Sequence, residues 1–281
     1  MKLFAGKTVL VTGGSRGIGL AIALRLARDG ANIAIAAKTS KPNAKLPGTI
    51  YTAAAEVDAA GGNALPIQMD LRNEDEIAAA VAQTVERFGG LDILINNAGA
   101  MWREPTLETT AKRFDLLNAV NVRGPFLITQ KSIPYLRRAS NPHVLMIAPI
   151  PELPHISQTE FPAYLISKYS MSLFTLAFAN EFRADGIAFN ALWPRTAIWT
   201  AAGAAIRGEE GRRYARKASV MGDAAWHILA QDSRSFTGRF TLDDDVLRDA
   251  GVTDFSPYME EGSDAAKLRL SLPVTHGLRR E

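Results

Sequence analysis

At 281 residues, 47% hydrophobic and 22% charged, the chain is long enough to bury a sizeable core within a single α/β domain. Its formal net charge is only +3, with cations interleaved among acids, which argues against a nucleic-acid surface. It has no cysteine, so disulfides, thiolate nucleophiles and cysteine metal sites are excluded, and four scattered histidines give no pattern for a metal-dependent mechanism.

The first residues, MKLFAGKTVLVTGG, pass directly into a strand pattern without the apolar segment of a secretory signal. No run approaches the ~18 uninterrupted apolar residues of a membrane span, and the closing GLRRE does not spell a peroxisomal address. A cytoplasmic location is the expectation. Strand and helix patterns then alternate: Thr8–Val11 and Gly19–Arg28, Asn32–Ala37 and Thr49–Ala60, Ala64–Met69 and Asp75–Phe88, Ile93–Ile95 and Arg113–Leu136. A strand at Val144–Ile147, a helix at Tyr164–Phe182, a strand at Ala188–Leu192 and a last strand near Arg239–Leu242 follow. Strict alternation predicts right-handed crossovers and one doubly wound Rossmann-type parallel sheet with helices on both faces. The strands agree, since VLV, IAIA and ILI are continuous apolar runs. The segments Thr39–Gly48 and Thr196–Met221 fall outside the alternation, and residues 251–281 lose periodicity and read as an arm or tail behind a domain of residues 1–250.

Thr12-Gly13-Gly14-Ser15-Arg16-Gly17-Ile18-Gly19 joins the first strand to the first helix. A glycine-rich turn there lets backbone N–H groups approach a pyrophosphate and aims a helix N-terminus at it, although a plain tight turn would use the same glycines. Gly13, Ser15, Arg16, Gly17, Ile18 and Gly19 are the candidate phosphate residues. At the end of the second strand, Ala36-Ala37-Lys38 offers no acid to a ribose 2′-hydroxyl, whereas Lys38 with Arg16 offers two cations to a 2′-phosphate. The bland alternative is two solvated surface cations.

Tyr164-Leu165-Ile166-Ser167-Lys168 places a phenol and an ammonium four residues apart, on one helix face. A phenol of pKa about 10 needs roughly a three-unit shift, about 4 kcal/mol, to act as acid and base near neutrality, and a neighbouring cation supplies it. An amphipathic helix with a snorkelling lysine is the plainer account. Asn96-Asn97-Ala98-Gly99 follows the fourth strand at the sheet edge where open α/β folds bind ligands, and Asn121 lies within the following helix, where asparagine is a mediocre choice.

These four motifs, in this order, resemble the short-chain dehydrogenase/reductase family across about residues 5–245. AIAAKTSKPNAKLPGTIYTAAAE, AVNVRGPFLITQKSIPYL, AYLISKYSMS and NALWPRTAIWTAA are similar to the hydroxysteroid dehydrogenase-like proteins, whose longer members append a sterol-carrier-type domain that is not expected here. The resemblance implies NADP as cofactor, with Asp70 and Leu71 at the adenine and Asn97, Ala98 and Gly99 beside the dinucleotide. It implies Tyr164 as acid/base, Lys168 tuning it and holding the ribose, and Asn121 holding a water that links the lysine to solvent. Pro194 and Thr196 would meet the nicotinamide amide, with Thr200 as the alternative to Thr196. For Asp70, a place before the helix capped by Asn73 and Glu76 is the structural alternative. The resemblance also implies a homodimer or homotetramer packed through Arg113–Leu136 and Tyr164–Phe182.

Three departures stand out. The fifth strand runs Val144-Leu145-Met146-Ile147-Ala148-Pro149, without the serine that active relatives place there; Ser157 or Thr159 would replace it only if their loop folds back. Pro194-Arg195 stands where Pro-Gly is common, and FTGRFTLDDDVL lacks a diglycine. The pocket walls are expected at Pro149–Pro162 and Thr196–Met221, the latter with Trp199, Arg207, Arg212, Arg213, Arg216 and Lys217, which suits an acidic or coenzyme-bearing lipid-like substrate or simply a solvated helix. Three readings follow: hydride transfer between NADP(H) and a small-molecule alcohol/carbonyl pair, an NADP(H)-binding protein with little catalysis, or reduction of a conjugated double bond.

Overall fold

The computed structural model describes residues 2–43, 46–201, 203–204 and 208–271. Arg207 and residues 272–281, which figure in the expectations above, lie outside that set. Seven strands form one parallel sheet: β1 Thr8–Thr12, β2 Asn32–Ala37, β3 Asn63–Gln68, β4 Ile93–Asn96, β5 His143–Ile147, β6 Ala188–Trp193 and β7 Phe240–Leu242. Their order is β3-β2-β1-β4-β5-β6-β7. The chain winds outward from β1 to β3, returns to lay β4 beside β1, and winds outward on the other side. The switch between β1 and β4 opens a crevice at their carboxyl ends.

Alternation along each strand sends neighbouring side chains to opposite faces. Val9 and Val11 of β1, with Ile33 and Ile35 of β2, face one core, closed by helices α1 (Gly17–Ala27), α2 (Ile50–Ala59) and, later in the chain, Ser219–Leu229. Leu10, Ala34 and Ala36 face the other, closed by α3 (Glu74–Phe88) and two helices that follow β4 and β5. The ends of α3 show how local sequence sets its limits. The Asn73 side chain accepts from the N–H groups of Asp75 and Glu76, three acids occupy the first turn, and Gly89 closes the helix at φ 84°.

The single helix expected over Arg113–Leu136 is instead two, α4 (Ala111–Asn118) and α5 (Gly124–Leu136), joined by a π-helical turn at Ala119–Arg123. Pro125 has no N–H to give the carbonyl one turn back, and the Asn121 side chain is drawn sideways by bonds to Ala100 and Ser167. After β5, a short helix α6 (Leu153–Ser157) precedes α7 (Pro162–Glu181). The helix Ser219–Leu229 is α8, and α9 (Asp243–Asp249) follows β7. Residues 251–271 run back as an arm: Lys217 N donates to Tyr258 O at 2.8 Å, Ala197 N to Arg269 O at 2.7 Å, and Ser271 N to Arg195 O at 3.0 Å.

Candidate active site

The crevice is framed by Thr12 and Asn97. Thr12 Oγ1, at the end of β1, donates to Ile95 O at 3.2 Å and accepts from the N–H groups of Asn97 and Ala98 at 3.0 and 3.1 Å. Asn97 Nδ2 returns to Thr12 O and Gly13 O at 3.0 and 3.1 Å. Asn97 therefore holds the glycine-rich turn against β4. The same closeness explains Gly19, where an added Cβ would stand 2.4 Å from Asn97 Nδ2 and 2.7 Å from Gly13 O. Gly13 and Gly17 have φ of 66° and 58°, a region that side-chain-bearing residues avoid. Beyond them α1 begins with no side-chain cap and no acid in its first turn, an arrangement suited to an anion.

A cleft of about 440 Å³ runs from this turn along the sheet edge. It gathers Gly13, Ser15, Arg16, Gly17 and Ile18 from the turn, Lys38 from the end of β2, and Asp70 and Leu71 from beyond β3. Asn97, Ala98 and Gly99 follow from β4, and Tyr164 and Lys168 from α7. Segments far apart in sequence thus line one trough. Its shape and chemistry fit a dinucleotide: a glycine cradle under a helix N-terminus at the middle and cations at one end. At that end Lys38 Nζ lies 3.2 Å from Asp70 Oδ2, and Arg72 also binds Asp70. Arg72, and secondarily Lys38, hold the Asp70 carboxyl far below the usual carboxylate range. Asn73 caps α3 as anticipated, whereas Glu76 reaches Asp70 N at 2.7 Å instead of closing a reciprocal box.

Arg16 lines the trough with Lys38, and in this arrangement its guanidinium is turned to the 46–48 loop, donating to Pro47 O at 2.9 Å, Leu46 O at 3.3 Å and Gly48 O at 2.5 Å.

At the other end of the trough Tyr164 is half-buried, in the first turn of α7. Burial pushes its phenol pKa up, and the nearby Arg103 guanidinium pulls it down. Lys168, one turn later, is buried; its ammonium donates to Ile147 O at 2.6 Å and lies 5.5 Å from the Trp193 ring centroid. Burial lowers its pKa to about 7. Asn121 is fully buried behind the trough. Its Oδ1 accepts from Ala100 N at 2.8 Å, and its Nδ2 donates to Ala100 O and Ser167 Oγ, both at 2.9 Å. The carboxamide thus pins the backbone after Gly99 to α7, a packing role of the kind that residue type left open beside the water-holding one.

Pro194 and Thr196 line an adjoining cavity of about 140 Å³ together with Tyr164, Met101, Arg103 and Trp193. Thr196 Oγ1 and Trp193 Nε1 are buried there with no hydrogen-bond partner. Thr200 lines both spaces, but its hydroxyl already accepts from Gly203 N at 3.0 Å, which favours Thr196 of the two alternatives.

The loop does not replace the absent serine. Ser157 is exposed and its hydroxyl donates to Pro154 O at 2.9 Å, while Thr159 Oγ1 accepts from Phe161 N; neither lines the trough or the cavity. Ala148 continues β5, its N–H on Leu192 O. Of the two readings open for the cations at Thr196–Met221, a substrate rim or a solvated helix, the rim is not what Arg212, Arg216 and Lys217 form. Glu209–Tyr214 is a 3-10 turn, Arg212 pairs with Glu260 at 2.9 Å, buried Arg216 pairs with Asp244, and Lys217 binds Pro257 O. These cations bind the arm and α9 and line neither space. Arg103, Met101 and Trp193 were missed: nothing in their spacing marks them, and only the fold carries the loop after β4 over Tyr164.

Comparison with known proteins agrees with this architecture. The sequence matches the short chain dehydrogenase family over residues 7–210. It is 51% identical to hydroxysteroid dehydrogenase-like protein 2 of Danio rerio over 257 residues, covering 92% of this chain and 61% of the relative. Against the Homo sapiens protein of that name the identity is 48% over 254 residues, 90% of this chain and 60% of the relative. The chain thus spans about 60% of the length of these relatives. A short chain dehydrogenase crystal structure from Mycobacterium thermoresistibile superposes with TM-score 0.90 at 47% identity, covering 97% of this chain and 96% of that one. A metagenomic short-chain oxidoreductase in complex with NADP superposes with TM-score 0.69 at 26% identity, covering 85% and 97%.

Proposed function

The chain belongs to the short-chain dehydrogenase family, an oxidoreductase family, and from that premise we propose that it transfers hydride between NADP(H) and an alcohol/carbonyl pair. The observation that carries this reading is the convergence of Tyr164 and the buried Lys168 with the glycine turn on one trough. NADP in place of NAD is supported by Lys38, by the absence of an acid at Ala37, and by the neighbour bound to NADP. When bound, the nicotinamide supplies or takes up the hydride. The N–H groups opening α1 would hold the pyrophosphate, Lys38 the 2′-phosphate and Thr196 Oγ1 the nicotinamide amide. Lys168 would hold the ribose and, as a nearby cation, favour the phenolate of Tyr164. Tyr164 then gives its proton to the carbonyl oxygen during reduction and recovers it during oxidation.

Residues 1–250 carry this chemistry in the proposal, with the described residues 251–271 as an arm. Self-association as a dimer or tetramer is supported by Phe126 of α5 and Ile166, Leu173 and Leu176 of α7, all exposed. Among the described residues no helix is long and apolar enough to cross a membrane, which accords with the cytoplasmic site we propose. A second reading, a cofactor-binding protein with slow or no turnover, is favoured by the missing hydroxyl at Ala148 and Pro149 and by Ser157 facing away. A screen of ketones and alcohols with NADPH and NADP+ decides between them. Turnover that depends on Tyr164 supports the enzyme; tight NADPH binding with no turnover of any pair selects the binding protein.

A further inference from the structure

Among the described residues Arg103 has no acidic partner, although its guanidinium stands close enough to the Tyr164 phenol to pull that group's pKa down. It reaches over Tyr164 from the loop after β4, its guanidinium carbon 5.9 Å from the Tyr164 ring centroid and 5.7 Å from that of Phe161. Its Nε is buried and has no hydrogen-bond partner. Among the described residues, the lining of the cavity it shares with Tyr164, Trp193 and Thr196 contains no Asp or Glu and no other cation. Trp193 Nε1, in the same wall, is likewise a buried donor without an acceptor. Buried donors left unpaired are costly, and a charged guanidinium more than most. A cavity that offers two such donors and no acid is built to receive acceptors, and a guanidinium fork matches a carboxylate.

We propose that Arg103 recognises a carboxylate on the substrate, so that the substrate class is short oxo acids and the matching hydroxy acids. The inference rests on the hydride-transfer reading above and narrows it. The cavity, about 140 Å³, lies well below the ~300 Å³ at which pockets for drug-sized ligands begin, which suits a short carbon chain. Because the cation lies over the ring whose hydroxyl meets the reacting carbonyl, the carboxylate stands one or two carbons from that carbonyl. Such an anchor also orients the carbonyl, a job for which β5 supplies no serine. During reduction the carboxylate is unchanged: hydride adds to the carbonyl carbon, the C=O π bond breaks, and Tyr164 protonates the oxygen.

The test compares acetoacetate with methyl acetoacetate, which differ in the anion and one methyl group, on the whole protein with and without NADPH. Calorimetry gives Kd and steady-state kinetics give kcat/KM for wild type, Arg103→Met and Arg103→Lys, with thermal unfolding as a control for folding. The wild type favours the acid by about tenfold or more in both quantities; Arg103→Met brings that ratio near one, the acid losing about tenfold more than the ester whatever loss the two share, and Arg103→Lys restores part of the preference. No acid preference in the wild type, or one that survives in Arg103→Met, overturns the proposal. An equal loss for acid and ester assigns Arg103 to tuning Tyr164, and weakened NADPH binding assigns it to the cofactor; either also overturns it. Arg103-dependent binding of the acid without turnover keeps the anion site and rejects the hydride reading instead.

Discussion

The Lys168 ammonium points into the β5 carbonyl of Ile147, 2.6 Å away, in a protein interior that lowers its pKa to about 7. The lysine expected to tune Tyr164 is therefore held by backbone in this arrangement, and its charge is disfavoured by burial. Between about pH 7 and the ordinary lysine range, the unfolded chain keeps a proton that the folded chain has released. Stability of the ligand-free protein then rises with pH across that window, by up to about 1.4 kcal/mol per unit from this group, and the contribution is flat below it. Urea midpoints near pH 7 and near pH 9 should diverge for the wild type, and Lys168→Met should lose that slope. The same slope in both proteins would remove Lys168 as its source.

Tyr164→Phe should separate chemistry from binding. It deletes the proton-bearing oxygen and leaves the trough walls in place, so turnover falls by about a hundredfold or more while the Kd for NADPH stays within about twofold. Lys168→Met should raise that Kd as well. Calorimetry beside initial rates reads both, and near-native turnover in Tyr164→Phe would show that another group carries the proton.

Lys38 decides the nucleotide. With Arg16 committed to the loop at 46–48, Lys38 is the cation at the β2 end left to meet a 2′-phosphate, after leaving Asp70. NADPH should bind at least tenfold more tightly than NADH, a difference of about 1.4 kcal/mol. Lys38→Ala should erase most of it. Arg16→Ala should instead loosen the loop and weaken both nucleotides alike; a selective loss of NADPH in Arg16→Ala would return Arg16 to the phosphate.

Ala148 and Ser157 make an opposed pair. Ser157→Ala removes an exposed hydroxyl that serves only Pro154 O, so turnover should stay within about twofold. Ala148→Ser adds a donor at the end of β5, and a donor aimed at developing oxyanion charge is worth about 3 kcal/mol at best. A gain in kcat of about tenfold on a simple ketone is expected, allowing for imperfect aim. Initial rates on one ketone suffice; a large loss in Ser157→Ala would mean that the loop folds over the substrate after all.

The sheet, its order of elements and its cleft were legible in the sequence because they depend on local patterns. Apolar strands buried on two faces, glycines at a turn that must pass close to backbone, and a Tyr–Lys spacing of one helical turn are each written in a few adjacent residues. The place of Tyr164 one turn before Lys168 follows from those patterns. The direction and partner of a long side chain do not. Arg16, Arg212 and Arg216 read alike as cations near a ligand, yet each is captured by a carbonyl or carboxylate brought from 28 to 48 residues away. The break at Ala119–Arg123 depends on Ala100 and Ser167 meeting Asn121, and Arg103 matters only because the loop after β4 crosses α7. Short-range periodicity sets which segments become strands and helices; pairing of charges and buried polar atoms is a long-range choice, made only once the crossovers have brought the partners together.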